Sequence, residues 1–316
     1  TIVAIEQQFN LSPHGFGTFE VRGPSYAGGS CAACHTSQGF VANATGTTAD
    51  YSAGVASMNC RTCHEIHTTY EGQDFALTTT APVDLIVTGA TADVSGTDVP
   101  GSNLCASCHQ ARGESAYPQY DAPVTQIFNV PSSHYDFHHG PQTNVFQGQF
   151  PTEVLYGLPQ GATFGSHQGA SCLGCHMGLG SEVADFNLPD LLPGGTLGHN
   201  YRPAEAVCNE CHTNDITPEG FDHNGVRTAV DAGVVALAQC LEAEGVVIVD
   251  PGDGHAFHVV VGDHPEPYVA AYMVLTTIEE DGSWGAHNPS FITAWLDAAR
   301  TAMDANSADP ACDYTP

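Results

Sequence analysis

The sequence predicts a mostly irregular chain with α-helices, little β structure and a helical C-terminal third. Three observations carry this expectation. Thirty-four Gly and 20 Pro among 316 residues imply long stretches of irregular backbone. The pentapeptide CxxCH occurs five times, always before residue 213. The hundred or so residues after it hold no further copy, and there apolar side chains recur at helical spacing.

The five copies are Cys31, Cys34 and His35; Cys60, Cys63 and His64; Cys105, Cys108 and His109; Cys172, Cys175 and His176; and Cys208, Cys211 and His212. Each is a c-type haem attachment signature. The two thiols bond to the two vinyl groups of one haem, and the histidine after them is carried under the ring to take an axial position on the iron. Five haem c groups are therefore the expected cofactors. A thiol-redox or zinc half-site reading leaves the histidine behind every CxxC unexplained. The fold class becomes a chain wrapped around a stack of five c-type haems, whose flat apolar faces stand in for a side-chain core. Ten of the twelve cysteines are used in this way. The remaining two, Cys240 and Cys312, suit a disulfide tying the C-terminal tail to a helix in an exported protein, or else two inert buried thiols.

Charge narrows the partners. Asp and Glu number 35 against six basic residues, all arginine (Arg22, Arg61, Arg112, Arg202, Arg227 and Arg300). Nucleic acid and anionic membrane are disfavoured. No stretch approaches the roughly 18 apolar residues of a membrane span, and the chain opens without a basic n-region and apolar h-region. The expectation is a mature, exported, soluble protein, extracellular or at the cell surface, with the periplasm as the alternative.

Along the chain the motif starts are unevenly spaced, so no solenoid repeat is expected. Thr78 to Gly101 looks like an inserted β-hairpin or loop. Val226 to Glu244 places Val230, Val234, Leu237, Ala238 and Leu241 on one helical face and ends at Gly245. Tyr268 to Glu280 is a second helix, and Pro289 to Ala305 a third, with Pro289 suited to its first turn. A loop or strand pair through Val246 to Gly262 joins the first two. No linker divides the chain, so one domain over 1–316 is expected, with a haem-binding part at about 14–212 and a helical part at about 221–305.

The sixth ligand decides what the irons do. Seventeen histidines less the five in the motifs leave twelve, against four methionines. The supply favours bis-histidine iron, and a six-coordinate iron exchanges electrons without binding substrate. His287 precedes Asn288 and Pro289 at a helix start. His167 and His199 each lie shortly before a motif. His67 follows His64 by three residues, which on a helical turn would place both on one surface. Of His138 and His139 one can ligate, and His14 is a further candidate. His134, His223, His255, His258 and His264 read as surface or supporting residues. Asn10-Leu11-Ser12 and Asn43-Ala44-Thr45 match glycosylation sequons. No nucleophile triad, phosphate loop or carboxylate pair for acid–base work is visible.

The segments CRTCHEIHTTY (60–70), HHGPQTNVFQG (138–148), SHQGASCLGCHM (166–177), GHNYRPAEAVCNECH (198–212), FDHNGVRTAV (221–230) and DGSWGAHNP (281–289) resemble those of multihaem c-type cytochromes distantly related to pentahaem nitrite reductases. That group includes cytochromes that polymerise into extracellular nanowires. The resemblance runs from about residue 14 to the last helix and implies distal ligands at His67, His139, His167, His199 and His287.

Three functions compete. The first is an electron conduit of five closely packed bis-histidine haems, not an enzyme, forming a subunit of a homopolymeric extracellular filament that meets redox partner proteins or extracellular acceptors. In such a polymer at least one haem would be completed by a neighbour's histidine. His14, seventeen residues ahead of Cys31, could fold back or reach across, and the sequence does not choose. The second is a non-polymeric periplasmic or cell-surface carrier. The third is a reductase of nitrite, hydroxylamine or a sulfur oxyanion, although with no lysine in the chain a Lys-ligated catalytic haem is ruled out.

Overall fold

The computed structural model describes residues 2–16, 26–67, 70, 75–96, 101–162, 166–178, 198–203, 205–212, 216, 221–250, 252 and 256–314. Arg22 and His255 fall outside them.

Helices α1 (Ile2–Asn10) and α2 (Pro13–Phe16) form an N-terminal arm. Helices α3 (Ala32–His35) and α4 (Ser37–Thr45) meet at Thr36, which is extended. Its hydroxyl accepts from the Gly39 N–H at 3.0 Å and so caps α4. A Cβ at position 39 would collide with the Ala32 carbonyl, so Gly39 lets the two helices pack. Helix α5 (Cys60–Cys63) starts at a capping box in which Asn59 and Thr62 each bond the other's backbone N–H or that of the first turn. Strands β1 (Val83–Asp84) and β2 (Thr91–Ala92) pair within the segment expected as a hairpin or loop. Helix α6 (Ser102–Ala106), strand β3 (Ile127–Val130) and helix α7 (Gln142–Gln147) follow, then α8 (Ser171–His176) and α9 (Glu205–His212).

In the C-terminal part α10 (Val226–Ala243), α11 (Glu266–Asp281) and α12 (Pro289–Asn306) correspond to the helices expected at 226–244, 268–280 and 289–305. Helix α11 starts two residues earlier because Pro267 is favourable in a first turn. Strands β4 (Val247–Val249) and β5 (Phe257–Val259) pair antiparallel inside the expected connection. Strand β6 (Gly262–Pro265) pairs antiparallel with β3, a long-range register with no local signal.

The described residues form two compact units. The first draws on 1–83, 93–108 and 168–221, the second on 84–92, 109–167 and 222–316. They interleave along the chain, which is why no linker is visible in the sequence. Their interiors differ. In the second unit α10, α11 and α12 pack on one another around Leu237, Tyr272, Met273, Phe291 and Trp295, joined by Phe137 and Phe150, all essentially inaccessible to solvent. The expectation that haems stand in for a side-chain core is therefore corrected here, because this unit has a dense apolar core of its own. In the first unit the described buried apolar side chains are few and mostly small: Ala32, Cys34, Phe40, Ala42, Val94, Ala106, Met177 and Ile216. That unit carries all ten motif cysteines.

The expected disulfide is formed between Cys240 of α10 and Cys312 of the tail, with 4.7 Å between the Cα atoms. Arg300 lies over the Tyr314 ring at 4.5 Å, a second clasp on the same tail.

Candidate haem centres

Four of the motifs, those at Cys31, Cys60, Cys172 and Cys208, fall on helical turns, whereas the third leaves its helix at Ala106, before Cys108. The His35 N–H donates to the Cys31 carbonyl and the His64 N–H to the Cys60 carbonyl, both at 2.9 Å, so the histidine closes the turn that holds the thiols. The sulfurs of successive motifs lie together. Cys172 and Cys63 act on the Cys105 thiol, and Cys208 and Cys211 on Cys175, each raising its neighbour. Cys34 Sγ lies 3.8 Å from the Ser107 carbonyl, beside the third motif. Burial and then Cys60 push the Cys63 thiol up to about 11, and burial with the neighbouring thiols does the same to Cys175. These sulfurs are neutral at ordinary pH in a chain that has not yet received haem.

The imidazoles are aimed by their Nδ1 atoms. His64 Nδ1 lies 2.8 Å from the Phe75 carbonyl, His109 Nδ1 3.0 Å from Gln142 Oε1, and His176 Nδ1 2.9 Å from the Tyr201 carbonyl. Among the expected distal residues, His139 Nδ1 is 2.6 Å from Glu280, His167 Nδ1 2.7 Å from the Ala286 carbonyl, and His287 Nδ1 2.6 Å from Asp281. All six partners are acceptors, so Nδ1 carries the proton and Nε2 is the nitrogen with a lone pair. This is the orientation that metal-bound histidine adopts. The protein around His109, then the nearby His287, hold the His109 imidazole below its ordinary value and keep it neutral.

One pair has the spacing of a complete site. The His64 and His199 rings lie 6.4 Å apart between centroids, inclined by 35°. Two imidazoles bonded to one metal at ~2 Å each put their centroids about 6 Å apart. The His199 backbone is held by Gln8 Oε1 at 3.0 Å. The residues present therefore fit haem c: paired thiols on one turn, a histidine closing it, and a second imidazole at axial distance.

No family model and no curated relative matches the chain. Among solved structures it is similar to the outer cell wall cytochrome OcwA, at 15% identity and a TM-score of 0.57, over 95% of this chain and 50% of that one. The two share a fold over that length. It spans half the length of OcwA. An undecahaem cytochrome from the S-layer of Carboxydothermus ferrireducens also aligns, at 15% identity and a TM-score of 0.46, over 97% of this chain and 40% of that one.

The remaining candidates divide by their surroundings. His67 is corrected: it does not share a helical turn with His64. Helix α5 stops at Cys63 because His64 turns extended to bridge Leu77, and His67 lies beyond in a left-handed conformation (φ 62°), stacked on Tyr70. His139 has the carboxylate partner, whereas His138 takes a positive φ and its N–H caps onto Asp136. His14 packs edge-on against Tyr201, 4.6 Å between centroids, within the same unit of its own chain. His35 lies 4.6 Å from the Tyr26 ring, and His212 closes α9. Of the histidines expected to support, His264 uses Nε2 to bond the Val260 carbonyl and His223 uses Nε2 toward Asn224. His134 and His258 stack edge to face at 4.9 Å.

Sequence reasoning missed the residues that aim the imidazoles. Gln142, Tyr201, Glu280 and Asp281 bond His109, His176, His139 and His287. Three stand inside segments singled out for their histidines, HHGPQTNVFQG, GHNYRPAEAVCNECH and DGSWGAHNP. For Gln142 and Asp281 a polar side chain near a candidate ligand was the available signal, whereas Tyr201 acts through its backbone carbonyl and left none.

Proposed function

We propose that the chain is an electron-transfer cytochrome holding five haem c groups, each iron bound by two histidines, and exported to the cell surface. Haem supplies a one-electron ferric/ferrous couple when bound. The cysteines of the five motifs anchor it, and His35, His64, His109, His176 and His212 give the first axial nitrogen. His14, His67, His139, His167, His199 and His287 are six candidates for five second positions. The observation that carries the reading is the Nδ1 anchoring of six of these eleven imidazoles, with the His64–His199 spacing as its sharpest instance. Clustered motif sulfurs support close haem packing, which short-range electron hopping requires. The cell-surface assignment draws on OcwA being an outer cell wall protein, and no helix among the described residues is long and apolar enough to cross a membrane.

The same chain would serve as a subunit of a conductive filament. A net charge of −29 opposes self-association at low salt, so a polymer would need screening and directional contacts. The packing of His14 on its own chain's Tyr201 favours contacts other than exchange of that histidine. Intact mass tests the cofactor count: five haem increments are expected, and four or fewer would show an unused motif. Electron paramagnetic resonance tests coordination, since a substantial high-spin signal that shifts with nitrite or hydroxylamine would promote the reductase reading. Negative-stain microscopy at high salt separates filament from carrier.

A further inference from the structure

The C-terminal end of α11 organises three of the candidate ligands. Glu280 and Asp281 are adjacent in sequence, and each accepts from a different imidazole, His139 and His287, at 2.6 Å. Gln142 donates from Nε2 to the Glu280 carbonyl at 3.0 Å and turns its Oε1 to His109. Asp281 is the more rigid of the two acids: its side chain has no exposure against 14% for Glu280, and it also accepts from the Ser283 N–H and hydroxyl. The other anchored imidazoles, those of His64, His167 and His176, meet neutral backbone carbonyls, and His109 meets a neutral amide.

We propose that Glu280 and Asp281 are potential-setting residues, which make the irons bound by His139 and His287 more reducing than those whose histidines are anchored to neutral acceptors. The inference rests on the assignment of these two histidines as axial ligands. A ferric haem carries one positive charge more than a ferrous one. An anionic acceptor on the far nitrogen makes the imidazole a stronger donor and places negative charge where water screens it poorly. Both effects favour the ferric state. On reduction one electron enters the iron, no bond is broken, and the Nδ1 proton stays between imidazole and carboxylate. The fully enclosed Asp281 has the larger effect. Two haems of one chain then differ from their neighbours by outer-sphere charge alone, although the inner ligands are identical.

The test uses the full haem-loaded protein, reduced stepwise with dithionite and followed by visible absorbance and electron paramagnetic resonance. Asp281→Asn keeps an oxygen acceptor without the charge. It is expected to leave every iron low-spin and to raise one midpoint so that the ferric/ferrous ratio changes about tenfold, which is ~59 mV for a one-electron couple. Glu280→Gln is expected to raise another midpoint by less. Gln142→Glu, which adds a carboxylate against His109, is expected to lower a midpoint and provides the test if the Asp281 variant does not fold. Titrations of these variants that superimpose on wild type, with low-spin spectra intact, would overturn the proposal. His287→Ala separates this from the underlying assignment. If it creates no high-spin iron, the ligand set is wrong; if it does while Asp281→Asn shifts nothing, the potential-setting role alone fails.

Discussion

His264 is buried and His287 half-buried, and the two differ in the nitrogen each commits to the protein. His264 uses Nε2 on the Val260 carbonyl and His287 uses Nδ1 on Asp281. His199→Ala is expected to convert one low-spin iron to high-spin, seen by electron paramagnetic resonance, because it removes the partner 6.4 Å from His64. His264→Ala is expected to leave every iron low-spin and to cost about 1–3 kcal/mol in denaturant unfolding, since the half-buried Val260 carbonyl loses its donor. His138→Ala should leave the spectra unchanged. A new high-spin species there would reassign the ligand from His139 to its neighbour.

At the scale of elements, α12 and the tail are fastened by side-chain caps, aromatic packing and the disulfide. Asn288 accepts from the Phe291 N–H and donates to the Val145, Phe146 and Ala162 carbonyls, and so caps α12 while holding the chain that ends α7. Trp295 donates to the Val154 carbonyl at 2.6 Å and stacks among Phe150 and Phe291. Trp295→Ala is expected to cost about 3–5 kcal/mol. Opening the disulfide with paired Cys240→Ser and Cys312→Ser changes, which frees a separation of 72 residues, should cost about 2–5 kcal/mol. Both are read from denaturant midpoints, with an unchanged haem count by mass as the control. Loss of a haem in either variant would show that the second unit's core is needed for attachment.

At the scale of the whole molecule, the two units differ in their described interiors. The second has a large apolar core; the first has all the motif cysteines and few large buried side chains among its described residues. A chain whose ten motif cysteines are replaced by serine is expected to lose the first unit and keep the second. Limited proteolysis should then protect fragments within 109–167 and 222–314 and degrade the rest. Equal resistance throughout would show that the first unit folds without haem. The strongly acidic surface predicts that any self-association strengthens with salt, measured by light scattering, because screening shortens the repulsion.

How much of this was legible in the sequence follows from range. The C-terminal helices and the Cys240–Cys312 pairing were readable because they depend on helical periodicity or on elimination among twelve cysteines. The β3–β6 register, the turn that takes His67 off the helix and the carboxylate that faces His139 were not, because each depends on a contact outside the local segment: Asp263 for Asn129, Leu77 for His64, Glu280 for His139. The sequence by itself determined which atoms can anchor haem and how many histidines are available to complete the irons. Only the tertiary structure decided which imidazoles lie near each other and which acceptor faces each Nδ1. The physical reason is that covalent attachment is encoded in one pentapeptide, whereas the orientation and basicity of an imidazole depend on charge and hydrogen bonds that folding brings from anywhere between 6 and 141 residues away.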